Sequence, residues 1–226
     1  VNIANAMHGT MAAILSNKIE TLKNIESRPV ITIPLNISNR EFSSMDDPES
    51  FIAEKNILWR SFVSNLETES NSLSNVSQKQ THINMPDIIE ETLNNETINI
   101  LNEMFFDFYK RYQGRTVFSQ LSLTNAFGVN VASTNLTDNY YEGGKEWWQR
   151  AAKDGIYLSE IHQEGQFDSD EYGLTIAVRI NDKNNNLLGI VKAVISSRWI
   201  MREVQAVTDR HEYSDVKLVT QDGHLI

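Results

Sequence analysis

The chain has 226 residues, 40% of them hydrophobic, with four prolines and no cysteine. This composition supplies a packed core and excludes a disordered, collagen-like or disulfide-framework protein, and with it thiol catalysis, iron–sulfur clusters and thiolate zinc sites. Acids outnumber bases 30 to 20, for a formal charge of −10, and no run of Lys and Arg appears, so no nucleic-acid partner is expected. At roughly 150 residues per domain the length corresponds to about one and a half domains. No apolar run reaches the roughly 18–20 residues that span a bilayer, and no signal peptide is visible. The chain starts at Val1 and reads as a piece of something longer.

Ala4, Met7, Met11, Ile14, Leu15, Ile19, Leu22 and Ile25 recur at helical spacing and predict a long amphipathic helix. The spacing also fits a heptad seam, interrupted near Lys18, so packing on its own domain and dimerisation through this helix are both open. Pro29 and Pro34 are expected to end the helical region. Residues 36–84 are polar, with local helical pattern around Phe51–Leu66. Asp47-Pro48-Glu49 forms a plausible start, with Pro in the first turn and acids at the positive end of the dipole. The stretch from Ser70 to Asn84 reads as a loop. A third helix is predicted from near Pro86 to a stop at Gly114.

The period then changes. Val117, Leu121 and Leu123 lead into the turn Asn125-Ala126-Phe127-Gly128, with Val129 and Val131 beyond it: a hairpin. Gly143-Gly144 opens a short helix, Lys145 to Lys153, and Gly155 closes it. Strands are predicted over Ile156–Ile161, Leu174–Ile180 and Leu187–Ile195, the last two joined by the turn 181–186. A helix from Trp199 to about Val207 follows. Tight hairpins give antiparallel neighbours, so the fold class is α+β, with about five strands. The tail, Val216 to Leu225, echoes the first hairpin and suggests the beginning of a second, similar domain.

Three stretches carry a resemblance. They are Leu123–Asn135; Asn139-Tyr140-Tyr141 with Glu146-Trp147-Trp148-Gln149-Arg150-Ala151-Ala152; and Ile176–Ile180 with Leu188–Val194. They resemble the strand-turn-strand, the pocket-capping loop and helix, and the last two strands of the Cache sensor domains, the extracellular PAS-like domains of bacterial and archaeal receptors. The long first helix, a sheet domain and the start of another resemble the double Cache arrangement. The resemblance covers residues 117–200 well and the helical first half in outline. It implies residues 1–114 as a helical lead-in, 115–208 as the membrane-distal sensor domain and 209–226 as the start of a membrane-proximal one. It further implies a ligand-sensing, non-catalytic, extracytoplasmic portion of a membrane-anchored receptor. That parent is most often a sensor histidine kinase, less often a chemoreceptor or a cyclic-nucleotide enzyme.

Trp147 and Trp148 are adjacent on a helix, about 100° apart, so one can seal the core while the other faces a pocket. With Tyr140 and Tyr141 they suggest an aromatic-lined site suited to quaternary amines or apolar ligands. Lys145 sits where amino-acid-binding Cache domains carry an arginine for the ligand carboxylate; the acid that such relatives place late in the final strand is here Val194, which counts against an α-amino-acid ligand. Asp168-Ser169-Asp170-Glu171-Tyr172-Gly173 starts like a calcium loop, but Tyr172 and Arg179 stand where oxygen ligands belong, so no calcium is expected. Asp168 could instead accept a hydrogen bond from a ligand. Arg179 alternates away from the apolar face of its strand and is an anion anchor if that other face lines the pocket.

Histidines 8, 82, 162, 211 and 224 have no metal spacing, and no cofactor motif appears. Sequons at Asn36, Asn75, Asn95 and Asn135 occur at the frequency chance gives. Two other functions stay open. One is an extracellular hydrolase or lyase using Asp168 or Glu160. The other is a dimerising module built on the first helix.

Overall fold

Alternation of side chains along the strands decides the architecture. The computed structural model describes residues 3–73, 85–111, 117–163 and 172–209. In it, β1 (Phe118–Asn125) pairs with β2 (Asn130–Ser133) and with β5 (Leu187–Ser196), β5 pairs with β4 (Tyr172–Asn181), and β4 with β3 (Ile156–Gln163). Every pairing is antiparallel and the order is β2-β1-β5-β4-β3. This is the α+β, PAS-like sheet of five strands that the sequence predicts.

Residues opposite one another in antiparallel strands share a face. One row across all five strands reads Ala132, Leu123, Val191, Val178, Ile156; the next reads Leu121, Ala193, Ile176, Leu158. This face is apolar and takes the helices. Leu22 of α1 (Ile3–Lys23), Ile25 just after it, Ile31 and Leu35 of α2 (Pro29–Ser43), Ile98 and Leu101 of α5 (Glu96–Arg111), and Trp199 and Ile200 of α7 (Ser197–Asp209) bury against it in one cluster. Each such side chain contributes about 1.5–3 kcal/mol. The apolar residues expected on the first helix therefore do pack on the sheet. The interruption near Lys18 is filled from the other end of the domain: Lys18 is buried, and its Nζ lies 5.4 Å from the ring centroid of Trp199.

Two expectations for the helical half are corrected. Pro29 and Pro34 do not end the helical region. Pro29 stands in the first turn of α2, where its fixed φ suits a helix start, and Pro34 lies inside the helix. Pro34 has no N–H for the carbonyl of Val30; the Thr97 hydroxyl of α5 donates to that carbonyl instead, at 3.5 Å. The helix expected from Pro86 to Gly114 is divided into α4 (Asp87–Leu93) and α5. Asn95 divides them, because its Oδ1 accepts from the Ile98 N–H while its Nδ2 donates to the Val131 carbonyl on β2. α3 (Pro48–Leu73) begins as predicted, with the Ser50 N–H donating to Asp47 Oδ1 at 3.0 Å. Hydrogen bonds from Ser50 hold the Asp47 carboxyl below its ordinary range.

α2 is pinned to the turn end of the sheet by Asn39, whose Nδ2 donates to the Leu188 carbonyl at 2.7 Å and whose Oδ1 accepts from the Ala126 N–H at 2.9 Å. Asn39→Ala is expected to cost about 1–3 kcal/mol by leaving both backbone groups unpaired, measured as a fall in the urea midpoint at unchanged slope. The second-domain hairpin expected beyond residue 209 and the loop expected over 74–84 lie outside the described residues. No described helix is long and apolar enough to cross a membrane.

Candidate functional site

The opposite face of the sheet is chemically different. Its central row runs Ser133, Ser122, Lys192, Ala177, Tyr157 across all five strands, flanked by Thr124, Ile190, Arg179 on one side and Gln120, Val194, Thr175 on the other. Ser122, Thr124, Ser133 and Thr175 are all buried, so this face presents hydroxyls where the other presents methyls. α6 (Glu146–Asp154) lies across it, its Ala151 packed with Ala177 and Ile190 and its two tryptophans beside them.

The tryptophans have separate roles. Trp148 Nε1 donates to Thr124 Oγ1 at 2.9 Å and fixes α6 to β1. Trp147 meets the charged centre of the face: Lys192 Nζ lies 5.4 Å from its ring centroid. Its indole also donates to Glu142, on the loop entering α6. Glu142 is only 7% exposed, and among the described residues it makes no ion pair. Burial pushes its carboxyl above the ordinary range; Lys192, Lys145 and the Trp147 hydrogen bond pull it part of the way back, and Asp138 adds to the rise.

The loop that carries Glu142 is anchored at both ends. The Glu142 N–H donates to the Gly128 carbonyl at 2.7 Å, and the Lys145 N–H to the Glu142 carbonyl at 2.9 Å. Gly128 and Gly143 touch so closely that a Cβ on Gly128, at φ 82°, would meet the Gly143 backbone. The ring of Tyr141 lies on Gly143, where an added Cβ would meet it at 2.7 Å. Upstream, the Tyr141 N–H donates to Asn56 Oδ1 at 3.0 Å and Trp59 Nε1 to the Thr137 carbonyl at 2.6 Å, so α3 holds the loop from behind.

Of the residues singled out in the sequence, the structure brings Trp147, Trp148 and Lys145 to this face, Lys145 as the exposed residue before α6. Tyr141 borders the loop. Tyr140 turns the other way: it is buried beside Trp59, ring centroids 5.9 Å apart, in a cluster with Phe42, Phe62, Val63, Ile89 and Val129. Burial there, with Glu91 and Glu41 nearby, pushes its hydroxyl well up, which suits packing and not ligand contact.

Arg179 is on the expected face, but three of its five donors are used within the domain. Nε donates to Asn181 Oδ1 at 2.6 Å, Nη1 to the Ala152 carbonyl and Nη2 to the Asn185 carbonyl at 3.4 Å, tying the negative end of α6 to the β4–β5 turn. Arg179→Met is expected to cost about 1.5–3 kcal/mol, read by thermal denaturation. Asp168 lies outside the described residues, and Glu160 is exposed on β3. Among the described residues no group of three or more His, Asp and Glu could hold a metal ion.

Glu142 and Lys192 were not anticipated. Both had a signal: Lys192 is the one charge in the apolar run Leu187–Ile195, and Glu142 is a lone acid between an aromatic pair and a glycine pair. A pH prediction follows from Glu142. Its folded-state carboxyl holds a proton more tightly than the unfolded one, so stability falls as pH rises from the unfolded value through the raised folded value, and the loss is complete above it. Glu142→Gln should raise the melting temperature at neutral pH, with the advantage over the native chain vanishing at acid pH.

No protein-family model matches the chain, and no curated protein matches it. Solved structures do. The extracellular domain of a protein described as a histidine kinase, rpHK1S-Z16, is similar over 74% of this chain and 63% of its own, at 12% identity and a TM-score of 0.39. The ligand-binding domain of the Campylobacter jejuni chemoreceptor Tlp3 with L-valine is similar over 88% and 74%, at 14% identity and 0.39. That of the Pseudomonas aeruginosa PAO1 chemoreceptor PctB with L-Gln is similar over 71% and 59%, at 18% identity and 0.33. These structures are sensory domains. The chain spans under two thirds of the length of the first of them.

Proposed function

We propose that the chain is an extracytoplasmic ligand-sensing domain of a membrane signalling receptor, binding a small molecule between α6 and the hydroxyl-bearing face of the sheet. One observation carries this reading: a lysine at the centre of the sheet and a buried carboxyl that makes no ion pair among the described residues meet at one tryptophan under a single short helix. A carboxyl buried without an ion pair is costly to keep, and such groups cluster at functional sites. The same sheet supports α1 and α7 on its other face, and Lys18 links those two helices. An occupant that shifts the sheet would therefore move both the entering helix and the one leaving toward residue 210. Trp147, Trp148, Glu142 and Lys192 form the proposed binding set, with Lys145 and Tyr141 at its rim.

The domain binds and does not catalyse. The parent chain is a sensor histidine kinase in our preferred reading, and a chemoreceptor parent fits the same site equally. Residues 115–208 form the sensor domain, 1–114 the helical lead-in and 209–226 the start of a second domain. The central test is a thermal-shift screen over small acids, amines and sugars. A hit should raise the melting temperature of the native chain and not that of Trp147→Ala. A panel that leaves the melting temperature unmoved throughout would count against ligand sensing.

A further inference from the structure

Glu142 is surrounded by groups from four places. Lys192 faces it from β5, Lys145 from the residue preceding α6, the Trp147 indole from α6 itself, and Asp138 from the loop before it. Neither lysine forms an ion pair with it among the described residues, and Lys192 sits over Trp147 instead. The carboxyl is thus buried, close to a cation, and short of a full counter-charge. Lys192 stands at the middle of a row otherwise made of Ser133, Ser122, Ala177 and Tyr157. It is the cation at the centre of this face: Arg179 is bound to the α6 carboxyl end, Arg150 over Tyr157 pairs with Glu146 and Asp154, and Lys145 stands at the exposed edge before α6.

An anionic group brought to Lys192 also comes close to Glu142. Two negative charges in one low-dielectric site repel strongly, and the usual resolution is that one of them takes a proton. We propose that binding of an anionic small molecule at this site is coupled to uptake of one proton from solvent by Glu142. With Glu142 ionised, Lys192 serves as its nearby counter-charge over Trp147; with Glu142 protonated, Lys192 is released to the ligand's anionic group. This rests on the reading of the α6 face as the ligand site. Burial already makes the Glu142 carboxyl of the ligand-free chain hold a proton more tightly than an exposed one. The domain would then report an anion and acidity together.

The test is isothermal titration calorimetry of the full chain with acetate, propionate, lactate and succinate, and with ethylamine and choline, at pH 5.5, 6.5 and 7.5. Paired buffers of different ionisation enthalpy count the protons. The expected result is an anion whose affinity rises about tenfold per unit of acidification above the folded-state pKa, with close to one proton taken up. Glu142→Gln should bind that anion with pH-independent affinity, and Lys192→Met should not bind it. Carbon-13 NMR of the Glu142 carboxyl in the ligand-free native chain, which needs no variant, should show titration above the usual carboxylate range.

Three results would overturn the coupling and leave the site standing. They are an anion bound with pH-independent affinity, the same pH slope in Glu142→Gln, and a carboxyl titrating in the usual range. An amine as the ligand, with affinity falling in acid, would overturn the assignment of an anion. No binding by any compound to any form at any pH would overturn the site itself.

Discussion

Trp59→Ala is expected to remove about 3–5 kcal/mol from the stability of the domain, against a typical total of about 5–15 kcal/mol. Trp59 is fully buried and is the largest side chain in the cluster joining α3 to Phe42, Ile89, Val129 and Tyr140. Its loss removes the transfer energy of the indole, leaves a cavity that rigid neighbours on three elements cannot fill, and strands the Thr137 carbonyl without its 2.6 Å donor. Trp59→Phe separates these terms. It keeps most of the ring against Tyr140 and gives up the hydrogen bond, so a loss of about 1–3 kcal/mol is expected. Urea denaturation measures both. An alanine variant within about 1 kcal/mol of the native chain would mean that α3 does not pack on the loop as described. The loop concerned ends at Glu142, so the alanine variant should also blunt the pH dependence of stability that Glu142 confers.

The second large effect is at Gly189. It lies on β5 opposite Asn125 of β1 and Ile180 of β4, on the face that receives α2. A Cβ there would run into the backbone carbonyl of Thr124 and meet Leu35 Cδ2 at 2.9 Å. A side-chain tip can swing aside; a carbonyl held in a sheet cannot. Gly189→Ala is therefore expected to cost about 3 kcal/mol or more by opening the β1–β5 ladder where Trp148 is anchored to Thr124. Adding Leu35→Ala should not restore stability, because the tighter contact is with backbone. Full recovery in the double variant would show that the clash is with Leu35 alone.

The sheet was legible where one face is apolar. Leu174, Ile176, Val178 and Ile180 alternate with Thr175, Ala177 and Arg179, and that period of two both identified β4 and sorted its faces. The Gly143-Gly144 and Gly155 boundaries located α6 for the same local reason. Failures came where a distant group supplies what the local sequence lacks. Pro34 reads as a breaker until Thr97, 63 positions on, is seen donating to the carbonyl it leaves open. Asn95 reads as one polar residue in a helix until Val131 accepts its amide.

The candidate site was half legible for a related reason. A tryptophan pair after two glycines is a local signal, whereas the meeting of Glu142 with Lys192 is made by strand order. β5 lies between β1 and β4, and this carries Lys192 to the centre of the sheet, 50 residues along the chain from Glu142. Tyr140 was misdirected because adjacent residues in an extended loop point opposite ways, and only one of the two tyrosines could face α6.

The two unlike faces also bear on how the chain folds. β1 closes on β2 within a few residues but must wait for β5, some 65 residues later, to gain its other neighbour, and β5 is then inserted between β1 and β4. Such late, long-range pairing is slow and open to error. A strand rich in Val, Ile and Leu could dock one residue out of step with little penalty from its aliphatic side chains. Lys192 prevents this: a one-residue slip would turn its ammonium into the layer filled by Leu22, Ile25 and Leu35, at a penalty of several kcal/mol. The lysine at the heart of the candidate site thus doubles as a proofreader of the last strand to arrive.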